Sequence, residues 1–320
     1  MSIIEQALNK LSHPEPQTAK IEPQDNAVTA EPENLIEKAM HTAEVAAAAA
    51  ATAQTQTKTQ PKPVAPEKTT GSAQPVQAVS RTKLKQMGIM TPDGERSQLA
   101  EEFRLIKRPL LMNALGQGAA PVRNGNLIMV TSSLPGEGKS FCAINLAISI
   151  AMEMDHTVLL VDADVAKPRL MNYLGLHSEL GLLDVLRDEK LALADVLIKT
   201  DIEKLTVLPA GRTYRHATEL LASEAMVRFI LDIEHRYPDR IIIFDSPPLL
   251  ATSEASVLAT HMGQIVMVVE ADRTPQEAVK EALSHIESCE VIGMLLNKAP
   301  TPPGGDFYSY GNYGYGGYGS

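Results

Sequence analysis

Leu127-Ile128-Met129-Val130-Thr131 runs through Ser132 into Ser133-Leu134-Pro135-Gly136-Glu137-Gly138-Lys139-Ser140, and an apolar stretch, Phe141 to Met154, follows. A short apolar run, a glycine-containing loop and a helix-length apolar stretch read as strand, loop and helix, the setting in which a loop binds phosphate. In such a loop the backbone N–H groups and the helix N-terminus surround phosphate oxygens. Lys139 then reaches the β and γ phosphates and the Ser140 hydroxyl binds Mg²⁺. The expected ATP contacts are Ser133, Leu134, Pro135, Gly136, Glu137, Gly138, Lys139, Ser140 and Phe141. Ser133 stands where the G-x-x-x-x-G-K-[ST] pattern has its first glycine; Gly136 and Gly138 still let backbone approach phosphate closely.

Beyond this segment the same alternation repeats. Leu127 to Thr131, Val158 to Val161, Leu205 to Leu208, Ile241 to Phe244, Ile265 to Val269 and Val291 to Leu296 are nearly all-apolar runs separated by helical stretches. Strands buried on both faces look like this, and alternation with helices implies right-handed crossovers. The expected fold is α/β: a three-layer α/β/α P-loop domain with a mostly parallel sheet.

Two of these strands end in carboxylates: Asp162-Ala163-Asp164 follows the second, and Asp245-Ser246-Pro247-Pro248 follows the fourth. The carboxyl ends of parallel strands are where such sheets bind ligands. A single aspartate there commonly caps a helix. Three beside a phosphate loop are better explained by Mg-ATP, with Ser140, Asp162, Asp164 and Asp245 as candidate metal-side groups.

The rest of the chain sets the boundaries. Ser2 to Leu11 carries a Ser N-cap three positions before Glu5 and an apolar stripe of Ile4, Leu8 and Leu11, so residues 1–12 read as a short amphipathic helix that docks on a partner or on this chain's own domain. No aromatic residue precedes Phe103, and Pro14 to Ser80 is mainly Pro, Gln, Thr, Ala, Lys and Glu. Residues 13–96 therefore read as linker, with an Ala-rich helix between Asn34 and Gln54 and an extended part from Pro61 to Pro75. The domain is expected over 97–299, and 300–320 is a tail whose last thirteen residues, Tyr308 to Ser320, are only Tyr, Gly, Ser and Asn. Glu101, Arg104 and Lys107 recur every third residue of an amphipathic segment, as a solvated face or an oligomer contact.

Composition excludes some functions. The net charge of -10 and the absence of a cationic cluster argue against nucleic acid as partner. Cys142 and Cys289 lack metal-ligand or redox-motif spacing. With neither a membrane-length apolar run nor a signal-peptide pattern, the chain is expected to be cytoplasmic.

The phosphate loop, the two aspartate motifs and the tyrosine tail together resemble the bacterial protein-tyrosine kinases, P-loop autokinases of exopolysaccharide assembly, from about Glu101 to the C-terminus. Ser2 to Leu11 and Glu101 to Pro109 look most like the exosortase-associated subgroup. The resemblance implies that Lys139, Asp162 and Asp164 are catalytic, with one of the two aspartates as base and the other at the metal with Asp245. It implies Tyr308, Tyr310, Tyr313, Tyr315 and Tyr318 as phosphoacceptors, and Glu101, Arg104 and Lys107 as an oligomer motif in which Lys107 stands for an arginine. The arginine that the family carries soon after Asp-x-Asp is not in place; Val165-Ala166-Lys167-Pro168-Arg169 leaves Lys167 or Arg169 for a phosphate-side role. Implied partners are a membrane chain-length-determinant protein acting as activator, further copies of this chain for trans-phosphorylation, and a tyrosine phosphatase; the chain would sit on the inner membrane through its partner. Two other readings are a ParA/MinD-type assembly ATPase, whose signature lysine at the second loop position is Leu134 here, and an adaptor with a regulatory nucleotide site.

Overall fold

The computed structural model describes residues 75–94, 97–236 and 239–300. The amphipathic segment Ser2 to Leu11, the Ala-rich segment, the extended linker up to residue 74 and the tail tyrosines Tyr308, Tyr310, Tyr313, Tyr315 and Tyr318 lie outside these residues.

All six expected strands are present. They are β1 Leu127–Ser132, β2 Thr157–Asp162, β4 Leu205–Leu208, β5 Arg240–Asp245, β6 Gln264–Glu270 and β7 Val291–Asn297, joined by a two-residue β3, Ile198–Lys199. The sheet order is β3-β4-β2-β5-β1-β6-β7, and every pairing is parallel except β3 with β4. The chain leaves β1 for β2 on one side and later returns through β5 to β6 on the other. That reversal opens a crevice at the carboxyl ends of the central strands, the usual ligand position in such sheets.

Alternation along β1 divides the core into two layers. Leu127 and Met129 face one layer, with Leu159, Phe244 and Met267. Ile128 and Val130 face the other, with Ile144, Ile148, Leu160 and Ile243. Burial on both faces is why the strands lack polar alternation.

Two expectations are corrected here. The linker was expected to reach residue 96, yet the packed domain begins some twenty residues earlier. Helix α1, Arg81–Gln86, is capped by Ser80 Oγ, which accepts from Lys83 N at 3.4 Å. Val79, Leu84, Ile89 and Met90 are buried. Val79 N donates to Asp201 Oδ1 at 2.8 Å and Met90 N to Asn145 Oδ1 at 2.9 Å, so distant parts of the fold satisfy this segment's backbone.

Helix α2, Gln98–Ala114, separates the three charges expected on one face. Three-residue steps fall about 60° short of a full turn, so Lys107 lies about 120° round the axis from Glu101. Arg104 pairs with Glu101 at 3.2 Å on the outside. Lys107 instead points inward, 5% exposed, donating to Ser149 O at 2.6 Å and pairing with Glu153 at 2.5 Å. It fastens α2 to helix α3, Lys139–Ala151, whose C-terminal carbonyls favour a cation, and it does not belong to an exposed contact.

Candidate functional site

The loop between β1 and α3 owes its shape to two glycines and one buried carboxylate. Gly136 (φ 94°) and Gly138 (φ 102°) occupy the left-handed region, where a side chain is strained. A Cβ on Gly138 would also collide with Asn297 Nδ2. Ser133 has no positive φ, so the turn places no glycine requirement on that position. Glu137, 2% exposed, turns back under the loop: its Oε2 accepts from Leu134 N at 2.6 Å and its Oε1 meets Thr274 Oγ1. From the β6–β7 side Asn297 Nδ2 donates to Glu137 O at 2.8 Å and Lys298 Nζ to Gly136 O at 2.8 Å. These bonds turn the loop's carbonyls toward protein donors.

Lys139 opens α3 and is 8% exposed; its Nζ lies 2.5 Å from Asp164 Oδ2 and 3.8 Å from Asp245 Oδ1. Burial alone would depress this ammonium, but Asp245, Asp164 and Asp162 outweigh it and hold the pKa above its ordinary value. The charged form is therefore kept for a phosphate chain. Asp162 and Asp245 are partners in the β2–β5 register and are both 0% exposed. Burial, then the facing Asp245, pushes Asp162 well up; burial raises Asp245 to about 6 against the pull of Lys139.

Both oxygens of Asp245 and Oδ1 of Asp162 are buried without a hydrogen-bond partner. Asp162 Oδ2 accepts from Leu170 N at 3.2 Å. Orphaned buried carboxylate oxygens next to a phosphate loop fit a hard cation, and Mg²⁺ takes few protein oxygens, filling its shell with water and phosphate. Among the described residues no three His, Cys, Asp or Glu side chains form a ready cage.

A cleft of about 190 Å³ lies at the loop, lined by Pro135, Gly136, Gly138, Lys139, Ser140 and Phe141 and by Asp164, Tyr173, Pro247 and Thr252. The structure thus brings together Lys139, Ser140, Asp162, Asp164 and Asp245. Lys167 and Arg169 also line the cleft, with the uncharged Ala166 beside Lys167. Glu101, Arg104 and Lys107 are not part of it. Sequence reasoning missed Thr274, Asn297 and Lys298 as supports of the loop and Tyr173 as a wall. For Asn297 and Lys298 a signal existed: they end a parallel strand, as Asp162 and Asp245 do.

A glycine loop feeding a helix at the central strand, with a buried lysine and strand-end aspartates around it, defines a P-loop nucleotide-binding domain of α/β type. The chain belongs to the AAA domain family, whose profile matches residues 125–293. It is 28% identical over 232 residues to the tyrosine-protein kinase YwqD of Bacillus subtilis, spanning 72% of this chain and 91% of that one. It is 33% identical over 239 residues to the succinoglycan biosynthesis transport protein ExoP of Rhizobium meliloti, covering 72% of this chain and 28% of that much longer protein. Among solved structures it resembles the VpsO kinase domain, with TM-score 0.51 and 28% identity, over 64% of this chain and all of that one.

Proposed function

We propose that this protein is an ATP-dependent protein-tyrosine autokinase that phosphorylates Tyr308, Tyr310, Tyr313, Tyr315 and Tyr318 and thereby regulates exopolysaccharide polymerisation and export. The observation that carries the reading is a phosphate loop whose lysine lies between strand-end aspartates in a chain that ends in a tyrosine cluster. Likeness to YwqD along nearly all of that kinase supports it.

Mg²⁺ held by Ser140 and the Asp245 side of the site would neutralise charge on the β and γ phosphates. Lys139 holds the phosphate chain and lies under its terminal end. The acceptor phenol oxygen bonds to the γ-phosphorus as the bond from that phosphorus to the β–γ bridging oxygen breaks. ADP leaves with the electron pair, and the phenol proton passes to Asp162 or Asp164. Acceptors come from another copy of the chain, within an oligomer to which Glu101 and Arg104 contribute.

No helix among the described residues is long and apolar enough to cross a membrane. The proposed place is the cytoplasmic face of the inner membrane, reached through a chain-length-determinant protein that activates the kinase, with a tyrosine phosphatase reversing the modification.

The test is incubation of purified protein with Mg-ATP, followed by phosphotyrosine mass spectrometry, for wild type, Lys139→Ala and a chain cut before Tyr308. Tail phosphotyrosine that disappears in Lys139→Ala is expected. Hydrolysis of ATP without phosphotyrosine, even with the partner's cytoplasmic segment added, would show an assembly ATPase instead.

A further inference from the structure

Helix α4, Leu170–Leu174, is five residues long and follows the Asp162-Ala163-Asp164 motif. So short a helix has no stability of its own in water, and what holds its two ends decides where it sits. At its first turn Leu170 N donates to Asp162 Oδ2 at 3.2 Å, on the buried carboxylate whose Oδ1 has no hydrogen-bond partner. The helix therefore aims one of the metal-side groups.

Its other end is held by residues 77–84, a strap from the start of the domain. Ser80 N donates to Leu174 O at 2.8 Å, meeting one of the carbonyls that a helix leaves open at its C-terminus. Just beyond, the Gln77 side-chain amide bonds His177 in both directions: Nε2 donates to His177 O at 3.0 Å and Oε1 accepts from His177 N at 3.1 Å. The Gln77 backbone is fixed to the sheet margin, its N donating to Lys199 O at 2.9 Å and its O accepting from Asp201 N at 3.0 Å. Gln77 thus ties the chain after α4 to the edge of the sheet. Gly175, φ 69°, lets the two runs approach, since a Cβ there would come within 2.6 Å of Ser80 Cβ. Val79 and Leu84 of the strap share a core layer with Leu170 and Leu174.

We propose that Gln77 is a positioning residue for the Mg²⁺-nucleotide site: through His177 and α4 it fixes the Leu170 N–H, and with it the orientation of Asp162. The inference rests on the Mg-nucleotide part of the reading above, not on the acceptor, and places a determinant of metal affinity outside the cleft. Without the amide, the His177 backbone turns to water, the last turn of α4 frays, and Leu170 N–H is no longer held against Asp162. Loss of such an orienting partner costs about ten- to a hundredfold in metal affinity. Contacts of the phosphate loop are spared, because Thr274, Asn297 and Lys298 brace that loop from the β6–β7 side.

The test uses the full-length chain with a fluorescent non-hydrolysable ATP analogue, titrated in EDTA and again in Mg²⁺. Gln77→Ala should bind the analogue in EDTA within about twofold of wild type, while the gain in affinity on adding Mg²⁺ falls roughly tenfold. Amide hydrogen exchange should quicken in residues 170–177 and not in 133–140. Gly175→Ala, which pushes Ser80 from the same helix end, should reproduce both effects. Lys107→Met, a destabilising change at another helix pairing, should leave the Mg²⁺ gain within about twofold of wild type, which separates positioning from general loosening. An unchanged Mg²⁺ gain in Gln77→Ala overturns the proposal. So does an equal loss of affinity in EDTA, which would put the strap's effect on the phosphate loop, and so does an equal fall in Lys107→Met. Wild type that binds the analogue no better with Mg²⁺ than without it sinks the Mg-nucleotide reading and this inference together. If the expected results hold and no phosphotyrosine forms, the kinase reading falls and this inference stands.

Discussion

Replacing Asp245 by Asn should stabilise the metal-free protein while abolishing its chemistry. Asp245 is wholly buried, neither of its oxygens has a hydrogen-bond partner, and its pKa is raised from 3.8 to about 6. A carboxyl whose folded pKa lies above its unfolded one binds more protons in the folded state between the two values, so stability falls as pH rises through that window. The shift is roughly two pH units, worth about 3 kcal/mol at pH 7 and nothing below pH 4. Asp245→Asn removes the charge, keeps the shape and leaves Lys139 paired with Asp164. Urea unfolding in EDTA should therefore show the variant about 3 kcal/mol more stable at pH 7.5 and nearly equal to wild type at pH 4, with a melting-temperature difference of roughly 6–12 °C at the higher pH. Excess Mg-ATP should reverse the order, because only wild type gains the ligand's binding energy in full. A variant less stable than wild type in EDTA at pH 7.5, or a stability difference between the two that does not grow from pH 4 to pH 7.5, would refute the argument.

Other perturbations probe separate parts of the structure. Lys107→Met deprives the buried Ser149 carbonyl of its donor and should cost about 1–3 kcal/mol in urea unfolding; an unchanged midpoint with altered oligomer size by light scattering would return Lys107 to an oligomer contact. Gly138→Ala places a Cβ against Asn297 at a φ of 102°. It should weaken ATP binding at least tenfold by calorimetry and lower stability by about 1–3 kcal/mol, and normal affinity would show that the loop adapts. The Cys142 thiol is pushed up to about 12, chiefly by burial, so the folded protein at pH 8 should resist a thiol reagent at this position and react only after unfolding. Rapid native labelling of Cys142, read by peptide mass mapping, would contradict that burial.

The six principal strands were legible because burial on both faces leaves uninterrupted apolar runs, and the phosphate loop because its chemistry demands particular residues at fixed spacing. Strand β3 was not, since two residues carry no periodicity and its pairing with β4 follows from the fold around it. The segment from Val79 to Met90 escaped for a related reason: its contribution to the core is four apolar side chains spread over twelve residues in a region without aromatics, and its order comes from partners such as Asp201 and Asn145, far along the chain. Lys107 misled because a repeat of three resembles a helical face over one step and drifts off it over two. Glu137 was legible as a loop position but not as an internal brace, since that role depends on Thr274, 137 residues away.

The two margins of the sheet differ in what they offer another chain. On one side β3 is two residues long and its outer edge already receives Gln77, whose N–H donates to Lys199 O at 2.9 Å. On the other, β7 is seven residues long, the last strand in the order, with Met294 and Leu296 52% and 64% exposed. Head-to-tail addition of strands needs two unlike complementary edges, and here one of them is blunted. Among the described residues β7 is the longer of the two margins, and an edge of that kind set against its own copy obeys two-fold symmetry.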